Sequence, residues 1–120
     1  MTQAVELIAI EEHFLHEGVA AHFDDIDRAL VAPNRVQGLR EIGEARLRAM
    51  DEAGIALQVL SLNKPGLQCI DDRQIAVPLA RTVNDFLAES VALHPGRFAA
   101  FAALPTIAPE EAALLAVGPR

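Results

Sequence analysis

Three consecutive side chains near the start of the chain can bind protons or metal ions: Glu11, Glu12 and His13. They directly follow an apolar run, residues 7–10, which is typical of a buried β-strand. Residues two apart in a strand share a face, so Glu11 and His13 are expected to point one way and Glu12 the other. In barrel and open α/β folds the ligand lies at the carboxyl ends of the strands. A carboxylate and an imidazole side by side there suit a divalent metal, zinc or manganese.

A plainer interpretation of the same three residues is that the strand is leaving the core. Polar residues commonly bound an apolar strand, and Glu11, Glu12 and His13 would then be solvated turn residues. The pattern by itself leaves both interpretations open.

The other reactive side chains are predicted to have structural roles. His16 and His22 are expected to be solvated loop histidines. Asn63 precedes Lys-Pro-Gly and is expected to form a turn rather than to hold a substrate. His94 is expected to bound the carboxyl end of a helix, where a cation complements the helix dipole. Cys69 is expected to be a small apolar filler, and as the single cysteine it cannot form an internal disulfide, which fits a reducing cytoplasm.

The elements that would position the first three residues alternate between strands and helices. After the first strand we expect a polar connection over residues 15–38, with a short helix near residues 18–30. A connection of this length is typical of a lid or a binding loop. The later elements are expected to be a helix over 39–53 closed by Gly54, a strand over 55–62, a helix from 73 or from Pro78 to 93, a strand over 98–104 and a helix over 109–117. Alternating elements with apolar strands predict an α/β fold with a parallel sheet.

Composition excludes several classes of function. The chain has 120 residues, 52% of them hydrophobic, a mean hydropathy of +0.24 and a net charge of −7. With no basic patch and no Trp or Tyr, nucleic acid and anionic membranes are not expected as partners. We find neither an apolar run as long as a membrane helix nor the pattern of a secretory signal peptide, and we expect a cytoplasmic protein.

Three stretches together resemble a known family: IAIEEHF at 8–14, AGIALQVLSLNKPGLQ at 53–68 and ARTVNDFLAESVALHPGRFAAFAALPT at 80–106. They are similar to the amidohydrolase-related family, in its branch of metal-dependent aromatic acid decarboxylases typified by gamma-resorcylate decarboxylase. The resemblance implies a TIM-type (β/α)8 barrel with one divalent metal, zinc or manganese, at its carboxyl mouth. The family's Glu-x-His motif in the first strand maps onto Glu11 and His13 as metal ligands. No catalytic residue is assigned to this stretch, and Glu12 is expected to support the ligands or the fold.

The activity implied by the resemblance is non-oxidative decarboxylation of a hydroxybenzoate-type aromatic acid. The alternatives are a metal-dependent hydrolase of the same superfamily and a non-catalytic α/β interaction module. A full barrel needs about 250 residues and eight strands. We therefore expect residues 1–120 to be the truncated N-terminal part of the barrel, its first three βα units, without the later histidine and aspartate ligands of the family. Such a chain is expected to be inactive alone and to self-associate through its unpaired strand edges.

Overall fold

The computed structural model describes residues 4–31 and 33–117. The predicted alternation of strands and helices is confirmed. In chain order the elements are strand β1 (Leu7–Phe14), helices α1 (Glu17–Ala20), α2 (Asp25–Leu30), α3 (Val36–Arg40) and α4 (Glu44–Ala53), strand β2 (Ile55–Leu62), a 3₁₀ turn (Gly66–Cys69), helix α5 (Arg73–Leu93), strand β3 (Phe98–Ala100) and helix α6 (Pro109–Val117).

The three strands form one parallel sheet in the order β1-β2-β3, so β1 and β3 are its edges. Phe14 lies beside Leu62 at the carboxyl ends of β1 and β2, and the Asn63 N–H extends the ladder by donating to the Phe14 carbonyl at 2.8 Å. β3 is shorter than the predicted strand over 98–104. Its pairing with β2 ends at Ala100, and only the Phe101 N–H continues by donating to the Leu60 carbonyl.

Local sequence signals explain where the long helices begin and end. Gly54 takes a left-handed φ of 73° and closes α4, as predicted. Asp72 caps α5 by accepting from the Gln74 N–H, and His94 ends the helix, as predicted. Of the two starts expected for this helix, residue 73 is confirmed and Pro78 is wrong, because the Asp72 cap starts the helix at Arg73 and places Pro78 in its interior.

The hydrophobic core covers one face of the sheet. It is a single cluster that joins the sheet to α5, α1 and α4, with Phe14, Leu60 and Phe98 from the strands, Ala76, Ala80, Val83 and Leu87 from α5, Val19 from α1 and Met50 from α4. Along β2, Gln58 and Leu60 are buried whereas the alternating positions are only half-buried. The apolar sequence of β2 predicts burial on both faces, and for this chain that prediction is wrong. We call the less covered side, with Leu57, Val59 and Ser61 of β2, the open face.

The first strand is also less buried than its apolar sequence predicts. Leu7, Ile8 and Ile10 are 51%, 57% and 63% exposed. These side chains are exposed because β1 is an edge strand, and the described residues provide no element beyond it that would cover them. Unpaired, apolar strand edges favour association with other chains.

The first connection consists of three short helices instead of the one predicted near residues 18–30. Asp24 and Asp27 form a reciprocal capping box at the start of α2. The predicted helix over 39–53 is divided, since α3 ends at Arg40 and α4 begins only at Glu44. In the part of the chain described, we find no helix long and apolar enough to cross a membrane.

Candidate metal-binding site at the end of the first strand

Glu11, Glu12 and His13 lie in the second half of β1 and line one cavity of about 610 Å³. The opposite wall comes from the connection and from α4, and includes Asn34, Arg35, Gln37, Gly38, Leu39, Glu41, Ala45, Arg46 and Ala49. Glu11 and His13 are exposed, and Glu12 is half-buried. The long first connection therefore contributes one wall of a cavity at the strand end, in keeping with the expected binding loop.

The pairing of β1 with β2 is irregular just before His13. Between Ala9, which pairs with Gln58, and Glu12, which pairs with Leu60, β1 contains one residue more than β2. Such a bulge redirects side chains at the end of a strand. From Glu12 onward the pairing is regular, so Glu12 and His13 lie on opposite faces as predicted. Glu11 lies inside the irregular stretch, and its shared orientation with His13 stays a prediction.

His13 projects onto the open face, where it contacts the neighbouring strand. Its Nδ1 lies 3.0 Å from the Ser61 hydroxyl oxygen, a hydrogen-bond distance, and the two residues are paired in the register of β1 and β2. The ring is therefore held through one nitrogen, and its other nitrogen, Nε2, has no protein partner among the described residues. A histidine held in this way is suited to bind a metal through the second nitrogen.

Arg46 of α4 joins the connection after β1 to the end of that strand by hydrogen bonds. Its Nη2 donates to the carbonyl oxygens of Gly38 at 2.9 Å and His13 at 3.1 Å. Its Nε donates to the Glu41 carbonyl at 2.7 Å, and its Nη1 to the Gln58 side chain at 3.3 Å. One guanidinium thus joins α3, the turn before α4, β1 and β2.

The charge of Arg46 is balanced by acidic neighbours. Burial lowers the pKa of Arg46 from its ordinary value, and the charges of Glu12 and Glu41 act in the opposite direction. By the alternation of the strand, Glu12 lies on the face opposite to the one on which His13 meets Ser61. That Glu12 supports the ligands or the fold stays a prediction.

Two metal-binding side chains do not complete a site. Within residues 4–31 and 33–117 no group of three or more His, Cys, Asp or Glu side chains could hold a metal ion. Protein zinc sites use at least three such groups. Glu11 and His13 therefore fit a divalent metal as part of a donor set, with an oxygen and a nitrogen ligand that zinc and manganese both accept.

The remaining candidate residues have the structural roles expected of them, with one exception. The Asn63 amide donates to the Lys64 carbonyl at 3.0 Å within the turn. The Cys69 thiol donates to the Gly66 carbonyl, and burial and the charges of Asp27 and Asp24 raise its pKa, which does not favour a nucleophile. His22 is exposed, as predicted.

The exception is His16, which is not a solvated loop residue. Its Nδ1 accepts from the Gly18 N–H at 3.1 Å, so it caps α1. Its ring packs edge-on against Phe86 with centroids 5.5 Å apart. Burial lowers the pKa of His16, and the charge of Glu17 opposes this. A histidine two residues before a glycine is a weak capping signal, which explains why the sequence pattern did not reveal this role.

Ser61 and Arg46 are residues of the candidate site that no sequence motif marks. A signal for Ser61 was present, because both strands have eight residues and both His13 and Ser61 are the last residue but one. Aligning the carboxyl ends of the strands would have placed them side by side. Arg46 gives no comparable signal, because its partners are mainly backbone carbonyls of distant segments.

No protein-family model matches the sequence. A curated relative, gamma-resorcylate decarboxylase from Polaromonas sp. strain JS666, is 45% identical over 111 residues, which cover 88% of this chain and 32% of the relative. The chain thus spans about a third of the length of the curated relatives it matches over most of its own length.

Solved structures of decarboxylases also match this chain over about a third of their own length. A dihydroxybenzoic acid decarboxylase from Polaromonas sp. JS666, with bound manganese and the inhibitor 2-nitroresorcinol, is 46% identical with a TM-score of 0.76, over 90% of this chain and 32% of that chain. A 2,6-dihydroxybenzoate decarboxylase complexed with 2,6-dihydroxybenzoate is 39% identical with a TM-score of 0.77, over 89% of this chain and 33% of that chain. The partial sheet seen here is therefore similar to part of the fold of these decarboxylases.

Proposed function

We propose that this chain is the N-terminal part of an amidohydrolase-related (β/α)8 barrel. The premise is that it is homologous to gamma-resorcylate decarboxylases over about a third of their length. In that barrel it would provide two ligands, Glu11 and His13, of a divalent metal used in non-oxidative decarboxylation of a hydroxybenzoate-type aromatic acid. The observation that carries this proposal is the end of β1, where both residues line one cavity and His13 is held through Nδ1.

In the proposed site, residues of this chain would bind the metal and hold its ligands in position. Glu11 supplies a carboxylate and His13 supplies Nε2, while Ser61 and Arg46 hold the ring and the backbone of His13. A bound divalent metal supplies Lewis acidity toward substrate oxygens. Glu12 lies on the opposite face of β1 from His13 and is not proposed as a ligand. The acid that protonates the ring carbon is not assigned to any residue of this chain.

The substrate class follows from what the relatives bind. A solved relative is complexed with 2,6-dihydroxybenzoate, and another holds manganese with 2-nitroresorcinol. Both compounds carry hydroxyl groups next to a planar acidic or nitro group on an aromatic ring. We therefore propose a small aromatic acid with a neighbouring hydroxyl as substrate and manganese as the first metal to test, with zinc as the alternative.

The 120-residue chain by itself is proposed to be inactive and to associate with other copies. Within the described residues no group of three or more His, Cys, Asp or Glu side chains could hold a metal ion, and a stable zinc site uses at least three. The edge strand β1 carries Leu7, Ile8 and Ile10 exposed, which supports self-association. The one cysteine, Cys69, is free, which supports a reducing compartment such as the cytoplasm.

A chimera tests the proposed function. This chain would replace the matching third of the Polaromonas gamma-resorcylate decarboxylase, and the chimera would be assayed with manganese for carbon dioxide release from 2,6-dihydroxybenzoate. We expect turnover that is lost in Glu11→Gln and in His13→Ala and kept in Glu44→Gln, an exposed glutamate of α4. A folded chimera without turnover, or one whose turnover survives both substitutions, would contradict the proposal.

Two other functions are distinguished by simple measurements. A metal-dependent hydrolase of the same superfamily would give a chimera that cleaves amides or lactones and releases no carbon dioxide. A non-catalytic α/β module is favoured by the lack of a third donor among the described residues. It predicts that Glu11→Gln and His13→Ala leave metal uptake by the 120-residue chain unchanged.

A further inference from the structure

The ring of His13 is held by a side chain of the neighbouring strand β2. Its Nδ1 lies 3.0 Å from the Ser61 hydroxyl, and 48 positions separate the two residues in the sequence. Their contact is a consequence of the register, because His13 and Ser61 are direct partners in the parallel pairing of β1 and β2. Both side chains therefore project from the same face of the sheet.

The backbone of His13 is held independently. Arg46 donates to the His13 carbonyl at 3.1 Å and is itself tied to Gly38 and Glu41. With the backbone fixed, rotation of the imidazole about its side-chain bonds is the freedom that remains. The hydrogen bond to Ser61 restricts this rotation.

From this geometry we infer that Ser61 is a positioning residue for metal binding by His13: its oxygen accepts the Nδ1–H, so that Nε2 carries no proton and faces the metal. The inference rests on the proposed function, because it assumes that His13 is a ligand. A metal-binding imidazole must present an unprotonated nitrogen, and the hydrogen bond of the other nitrogen determines which one that is. Ser61 is the side chain within hydrogen-bond distance of Nδ1.

Ser61 is suited to this role and is not required for the core. It is half-buried on the open face, whereas its neighbours Leu60 and Gln58 are buried on the covered face. Removal of its hydroxyl is therefore expected to leave the sheet intact. Threonine keeps a hydroxyl on the same carbon and is well tolerated in strands, so it is the conservative replacement.

The test uses the chimera described above, because the 120-residue chain supplies only part of the donor set. The chimera is labelled with ¹⁵N-histidine and titrated with Zn²⁺, which gives no paramagnetic broadening, and the His13 signals are identified by their loss in the His13→Ala chimera. We expect zinc to shift Nε2 of His13 while Nδ1 keeps its proton. Ser61→Ala should weaken zinc affinity by about 10–100-fold, and Ser61→Thr should restore it. Ser90→Ala, at the other serine, whose hydroxyl donates within α5, should have no effect.

The outcomes separate this inference from the function on which it rests. If zinc shifts neither ring nitrogen of His13, the metal-binding role fails and the inference fails with it. If zinc binds His13 through Nδ1, or if the Ser61→Ala chimera binds zinc through His13 as tightly as the unmodified chimera, the inference alone is overturned. The ring-nitrogen result comes from the unmodified chimera, so it decides the question even if Ser61→Ala fails to fold.

Discussion

The side-chain amide of Asn84 and the backbone of Ala103 form two reciprocal hydrogen bonds. The Ala103 N–H donates to Asn84 Oδ1 at 2.7 Å, and Asn84 Nδ2 donates to the Ala103 carbonyl at 3.0 Å. Asn84 thus pairs with the segment after β3 much as a neighbouring strand would. This contact fixes the path of the chain where regular pairing has already ended at Ala100.

Asn84→Ala is expected to lower the free energy of unfolding by about 1–3 kcal/mol, because it leaves the N–H and carbonyl of the buried Ala103 without partners. Urea unfolding followed by circular dichroism measures this. Asn34→Ala, at an exposed turn position, is the matched control and should change stability by less than about 0.5 kcal/mol. Equal stability of both variants would show that the pair contributes nothing.

Arg46→Ala is expected to destabilise the fold by roughly 2–3 kcal/mol, because three backbone carbonyls and the Gln58 side chain lose a charged donor. Arg46→Lys should recover only part of this, since one ammonium cannot reach the acceptors that the planar guanidinium joins. Arg48→Ala is the control, because Arg48 is exposed and its 4.0 Å pair with Glu44 is worth at most a few tenths of a kcal/mol. The account of Arg46 would be wrong if chemical denaturation gave the same midpoint for the Arg46→Ala and Arg48→Ala variants.

His16 is expected to make stability depend on pH. Its pKa in the folded chain lies below the ordinary value of 6.5, because burial disfavours the imidazolium. Below that value the unfolded chain binds more protons than the folded chain, so stability is complete above about pH 7 and falls as the pH drops through 6.5 toward the folded pKa. His16→Asn keeps a capping acceptor without a titrating group.

The measurement is urea unfolding from pH 5 to pH 8 for the unmodified chain, His16→Asn and His22→Asn. Removing the exposed His22 should leave the slope of stability against pH unchanged. The slope should become smaller in His16→Asn. An unchanged slope in that variant would mean that His16 is not the group responsible.

Ile10→Lys is expected to raise the monomer fraction of the purified 120-residue chain. Ile10 is 63% exposed on edge strand β1, and a charge on an edge strand opposes pairing with another chain. Leu93→Lys, at a residue 75% exposed at the end of α5, adds the same charge away from the edge and should leave association unchanged. Light scattering over a concentration series reports the outcome, and a monodisperse monomer in the unmodified chain would refute self-association.

The parts of the fold with strong local signals could be predicted from the sequence. The bounds of β2 and α6, the glycine closure at Gly54 and the end of α5 at His94 are as expected, because each depends on an apolar period or on a capping residue. The exposure of β1 could not be predicted in this way. It depends on the absence of a covering element among the described residues rather than on the composition of the strand itself.

Of the candidate site, only the two proposed ligands could be predicted from the sequence. The spacing of Glu11 and His13 marks them, whereas the bulge between Ala9 and Glu12 depends on how two strands pair and leaves no sign in the sequence. The role of Arg46 is likewise invisible before the chain folds, since its acceptors are backbone carbonyls from separate segments.

Anomalous diffraction from crystals of the chimera grown with manganese tests whether Glu11 and His13 bind the metal. We expect one manganese peak within bonding distance of a Glu11 carboxylate oxygen and of His13 Nε2, and no such peak in the His13→Ala chimera. A manganese peak bonded to neither side chain in the unmodified chimera would contradict their role as ligands.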